Sequence, residues 1–151
     1  MKYTMMIILM ITTTKGFTRD VLPLSCRPLP IERTQLVMST KTAQLVMIHN
    51  LSQQDLWLTH AGVESSAKAG WASKISPNHW SALYVYHHFT MACTESKPGH
   101  EQQVDCKDVL AVCEWSKQAP MKLIKSTFWV GEDKPLSELI AYMGRTGYVL
   151  K

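Results

Sequence analysis

A chain of 151 residues that is 46% apolar and 19% charged has the composition of one ordinary folded domain. Its formal charge of +4 comes from scattered lysines and arginines, not from a run of them. A nucleic-acid surface needs clustered charge interleaved with stacking aromatics, so no nucleic-acid partner is expected.

The first residues, MKYTMMIILMITTTKGF, combine an early Lys2, an apolar core from Met5 to Ile11 and a polar stretch before Lys15. That core is far shorter than the roughly 20 residues needed to cross a bilayer, so residues 1–17 read as a signal peptide. No transmembrane segment is expected in the mature chain. A lipidated Cys26 is disfavoured, because Pro23 stands where a lipobox places an aliphatic residue. Residues 18–33 carry Pro23, Pro28 and Pro30 and read as an extended arm, leaving 34–151 as the folded domain.

Beyond the arm the chain alternates short apolar runs with turn formers. Thr34 to Met38, Ala43 to Ile48, Leu56 to Thr59, Trp80 to Tyr86, Phe89 to Cys93, Val109 to Trp115, Leu123 to Val130 and Tyr148 to Leu150 are strand candidates, rich in Val, Ile, Tyr, Trp and Thr. The separators, such as Ser76-Pro77-Asn78-His79 and Lys97-Pro98-Gly99-His100, are turn sequences. Many short strands in a small chain predict a mainly β fold, a disulfide-stabilised β-sandwich. The exception is Asp133 to Gly144, where a capping Asp133, Pro135 in the first turn and a terminating Gly144 frame apolar residues at helical spacing. This helix should pack Leu136, Leu139, Ile140 and Met143 against one end of the sheet.

Three of the four cysteines fall in CTESKPGHEQQVDCKDVLAVCEW, Cys93 to Trp115. Behind an apolar leader they read as structural disulfides formed in an oxidising compartment, periplasmic or extracellular. If Phe89–Cys93 folds back on Val109–Cys113, Cys93 joins Cys113 and Cys106 ties down the arm through Cys26. A bond from Cys106 to Cys113, closing a short local loop, is the alternative. A metal site is not expected, since neither C-x-x-C nor paired histidine spacing is present, and no cofactor is implied.

The runs IHNLSQQDLWLTH, AGWASKISPNHWSAL, ACTESKPGHEQQVDC with VLAVCEW, and TFWVGEDKPLSELIAYMGRTGYVL together resemble the enhanced-entry protein EnhB family of Legionella-like intracellular bacteria. The resemblance spans about Met38 to Leu150, and the ESKPGHEQQ segment between its cysteines is the most specific part. It implies an exported bacterial protein associated with host-cell entry, or virulence, without an established enzymatic activity. It supplies no catalytic residues to carry over.

Candidates for chemistry are sparse. Ser65-Ser66-Ala67-Lys68 fits the S-x-x-K nucleophile motif, but the S-D-N and K-T-G companions are missing and the surrounding GVESSAKAGW reads as a loop. His100 beside Glu101 has the groups for acid–base work, yet a solvated loop tip carrying Glu95 and Lys97 is the simpler reading. His87 and His88 would face opposite sides of a strand. Trp80, Trp115 and Trp129 read as core and Trp71 as a residue a loop could expose. Asn50-Leu51-Ser52 is formally a glycosylation sequon and reads as a tight turn. The functional expectation is a binding module whose partner is another protein of the envelope or host surface. It would be contacted through the Glu95–Gln103 loop (Glu95, Lys97, His100, Glu101, Gln102) and the Gly62–Trp71 loop. The alternatives are a cell-wall-directed envelope enzyme or inhibitor, and a purely structural envelope factor.

Overall fold

In the run Gln44–Asn50, QLVMIHN, residues of both parities are apolar, the mark of a strand covered on both faces. The computed structural model describes residues 22–23, 26–31, 34–38, 41–60, 72–86, 88–115 and 126–147. It places this run as β3 at the centre of an antiparallel sheet ordered β1-β9-β3-β6-β10. Here β1 is Cys26–Leu29, β6 Trp80–Val85, β9 Leu110–Trp115 and β10 Phe128–Lys134. The second sheet is ordered β2-β7-β4-β5, built from β2 (Leu36–Met38), β4 (Leu56–His60), β5 (Ala72–Ile75) and β7 (Phe89–Lys97), with β8 (His100–Val104) also paired to β7.

The two sheets face each other as a β-sandwich. Val46, Ile48, Leu83, Val85 and Val112 from the first meet Leu56, Leu58, Ile75, Met91 and Cys93 from the second in one buried cluster. Alternation sends Leu45, Met47, Ala82 and Tyr84 to the opposite face of the first sheet, where they form a second cluster with Trp80, Cys113 and Trp115. All six residues of β6 are buried as a result.

Helix α2 (Leu136–Arg145) covers part of that outer face. Leu139 and Met143 are buried in the second cluster, and Leu136 and Ile140 pack at its margin, as the helical spacing predicts. The helix can approach because β10 carries Gly131, where a Cβ would lie 2.7 Å from Leu139 Cδ1 and 3.2 Å from Tyr142 Cδ1. Its ends differ from expectation. Pro135 occupies the N-cap position with no side-chain cap, because Asp133 is bonded elsewhere. Gly144 lies within the last turn, and the left-handed residue beyond the Thr146 C-cap is Gly147 at φ 91°.

The cysteine-rich segment folds differently from the expected hairpin. Phe89–Cys93 does not fold back on Val109–Cys113. Instead β7 continues to Lys97 and returns as β8 through a two-residue turn at Pro98-Gly99, with Cys93 opposite Val104. Pro98 supplies the fixed φ of a turn's first central position and Gly99, at φ 81°, the left-handed second. The expected Glu95–Gln103 loop is therefore a hairpin. A four-residue helix, α1 (Cys106–Val109), then carries the chain to β9 in the other sheet.

Because Cys93 and Cys113 belong to different sheets, neither expected pairing forms. Cys93 bonds to Cys106 at the base of the β7–β8 hairpin, and Cys26 bonds to Cys113, each with a Cα separation of 5.4 Å. The second bond staples β1 to β9, which are antiparallel neighbours with Cys26 opposite Trp115 and Pro28 opposite Cys113. Part of the expected N-terminal arm is thus an edge strand, where Pro28 is tolerated. An ion pair from Arg27 to Glu114 reinforces it. The leader (1–17), the S-x-x-K segment, Trp71, His87, residues 123–125 of the expected 123–130 run and Tyr148–Leu150 lie outside the described residues, while Phe128–Val130 of that run opens β10.

The loops closed by the disulfides differ in length, with separations of 87 residues for Cys26–Cys113 and 13 for Cys93–Cys106. Chain-entropy arguments assign them about 4–5 and about 3 kcal/mol respectively, against a total domain stability of about 5–15 kcal/mol. C26S/C113S should therefore destabilise more than C93S/C106S in urea unfolding at neutral pH. The reverse order would show that the shorter bond carries the native packing of the hairpin base.

Candidate functional site

The antiparallel registers bring the β3–β4 loop, the β5–β6 turn, the β7–β8 hairpin and the end of β10 to one end of the sandwich. Asn50 lies opposite Leu110, Leu56 opposite both Ile75 and Glu95, and Trp80 opposite both His49 and Lys134. His60 and Ala72, which flank the Gly62–Trp71 segment, belong to the opposite end of the second sheet. The two segments expected to bind a partner therefore do not leave from the same end.

The expected hairpin residues play two roles, and Gln102 has a part in both. Glu95 is largely covered; it accepts a hydrogen bond from Ser52 Oγ and lies 3.6 Å from Lys97 Nζ. Lys97 in turn donates to Gln102 Oε1 at 2.6 Å, so Glu95, Lys97 and Gln102 brace the hairpin. His100, Glu101, Gln102 and Gln103 are exposed. As consecutive strand residues, His100 and Glu101 face opposite sides, so they do not form the acid–base pair their adjacency suggested.

Sequence reading missed a second polar group at this end. Asp133, at φ 46°, accepts from the Ser76 backbone N–H at 2.7 Å, from Ser76 Oγ at 3.1 Å and from His79 Nδ1 at 2.9 Å. Its own N–H donates to Ser81 Oγ at 3.0 Å. Burial pushes the Asp133 carboxyl upward. The Ser76 N–H, the His79 and Ser76 side-chain bonds and the His79 charge outweigh that and hold it below the ordinary 3.8. Since a carboxylate only accepts, His79 donates to it from Nδ1. Ser76 Oγ donates to the Asp133 carboxylate, and Ser81 Oγ accepts from the Asp133 N–H. The group's chemistry is that of a fastener between the β5–β6 turn and the irregular end of β10.

Asn50 fastens the adjoining turn. It is fully buried; its Nδ2 donates to the carbonyls of Gln54 and Ile75, both at 2.8 Å, and its Oδ1 accepts from Ser52 N. The turn reading of the sequon is the one this geometry supports, because the amide that a glycan would need is buried and bonded twice. Beside it His49 stacks on Trp80 with centroids 4.2 Å apart and bonds Asn78 Oδ1 through Nε2 at 2.9 Å. Trp80 and Trp115 are buried and Trp129 is half-buried against the sandwich core, as core readings require.

Among the described residues no group of three His, Cys, Asp or Glu side chains could hold a metal ion. No helix among them is long and apolar enough to cross a membrane. No protein-family model, curated protein or solved structure matches this chain. The exposed part of the hairpin, His100 to Gln103, stands at this fastened polar end.

Replacing Asp133 removes several bonds and leaves a left-handed backbone without compensation. D133A should cost about 2–3 kcal/mol in urea unfolding near neutrality. Because the folded pKa is depressed, this contribution is complete above the unfolded value of 3.8 and is lost as pH falls through the folded value. The gap between native protein and D133A should narrow on acidification below that value; a gap independent of pH would show that the ionised carboxylate is not what matters.

Proposed function

We propose that this chain is an exported bacterial binding protein of the envelope or host interface, acting without catalysis through its β7–β8 hairpin. The observation that carries the reading is a polar hairpin, exposed from His100 to Gln103, whose base is locked by the Cys93–Cys106 bond. A stapled scaffold of this kind lowers the ordering cost of binding, because the contact residues are held in place before the partner arrives.

Two disulfides with no free cysteine among the described residues suit an oxidising compartment, and the apolar N-terminus suits delivery to it. The resemblance to the enhanced-entry family agrees with this reading and suggests a role in host-cell entry. The partner is another protein, met through polar contacts on the two faces of the hairpin.

The variant H100A/E101A removes exposed side chains while leaving the Pro98-Gly99 turn, the Lys97–Gln102 bond and both disulfides in place. It should keep a cooperative thermal transition within a few degrees of the native protein yet lose the envelope or host proteins captured by the native domain. Capture of the same partners by the folded variant would remove the hairpin from this role.

A further inference from the structure

Four of the strands at the sheet margins are protected against further pairing. β1 carries Pro28, and β2 is only three residues long. β10 is broken by two register shifts and the left-handed Asp133. β5 is four residues long and ends in a turn fastened to Asp133. Each is a recognised device for preventing edge-to-edge association.

β8 has none of them. It is five residues of HEQQV, without proline, glycine, lysine or arginine, paired to β7 in unbroken register from Cys93–Val104 to Lys97–His100. Its outward backbone can be assigned. Ser96 N–H donates to Asp55 O, on the side of β7 away from β8, so Ser96 and Glu101 are a non-hydrogen-bonded pair. The N–H and C=O of Glu101, and by alternation those of Gln103, therefore point to the edge that no other described strand pairs.

We infer that β8 is a self-pairing edge, joining antiparallel to β8 of a second copy so that the second sheet runs on across a two-fold axis. Only three registers place outward-bonding residues opposite each other within this strand. Centred on Glu101, the two copies oppose Glu101 to Glu101; centred on Gln103, Glu101 opposes Asp105. Both set acid against acid, which is unfavourable across a strand pair. Centred on Gln102, Glu101 faces Gln103 of the second copy and each pairing exchanges both backbone bonds. The charge pattern thus selects one register, in an isologous contact of the usual two-fold type. The side chains on both faces of the hairpin remain accessible, so self-pairing and partner capture are separable.

Sedimentation equilibrium of the chain with both disulfides formed should show a concentration-dependent monomer–dimer exchange. Q103P removes an N–H that β7 does not use, so it should stay monomeric at the same concentrations. In the register centred on Gln102, Q103K sets Lys against Glu101 and should tighten the dimer by about 3- to 10-fold, whereas Q103E should loosen it by a similar factor. If Q103P does not fold, the opposite effects of Q103K and Q103E decide the matter. A chain that stays monomeric up to about 1 mM, or a dimer indifferent to these substitutions, overturns the inference.

Discussion

The structure depends on the covering of the first sheet from both sides. Val46 and Ile48 of β3 face the second sheet while Leu45 and Met47 face away from it, and β6 repeats the arrangement with every residue buried. A strand of that composition is stable only if two layers enclose it. The second sheet is one layer, and α2, seated over Gly131, supplies part of the other. The turns, the helix position and the disulfides are all arranged around that central pair.

Burial of the central strands also explains why one end of the sandwich is so heavily bonded. Where β3 leaves the core, its last residues, His49 and Asn50, are polar but still buried. Unmet hydrogen bonds there would each cost about 1–3 kcal/mol, so the surrounding turns are shaped to supply partners. Asn50 draws in the Gln54 and Ile75 carbonyls, and Asp133 binds the Ser76–His79 turn. The left-handed conformations of Asn78 and Asp133 are held by these contacts. The β7–β8 hairpin rises from the same end, with Ser52 reaching Glu95 at its flank.

Legibility in the sequence followed apolar patterning. β3, β4, β6, β9 and the face of α2 were readable because their apolar residues recur with a strand or helix period. β5 and β8 were not. ASKI is too short to show a period, and HEQQV has only one apolar residue because its outer edge and both faces are wet. Missing β8 misplaced the disulfides, since without it Val109–Cys113 looked like the return strand for Phe89–Cys93. Asp133 stands in a helix-capping position before Pro135, whereas its bonding partners lie more than fifty residues away. No local pattern reports a contact of that range. His100 to Gln103 are exposed, but which hairpin residues are internally engaged is visible only from their neighbours.

The disulfide connectivity has a consequence for how the chain reaches this fold. The cysteines emerge in the order Cys26, Cys93, Cys106, Cys113, yet the bonds are nested, the first with the last and the middle two together. In a chain delivered N-terminus first to an oxidant, the first two thiols available to each other are not native partners. β1 must also wait for β9, the ninth strand to appear, before it has a neighbour. Delivery in that order would favour a chain held reduced until its C-terminal part is out, or a thiol exchange catalyst that undoes a premature bond. The N-terminal strand, although first to arrive, is among the last to be secured.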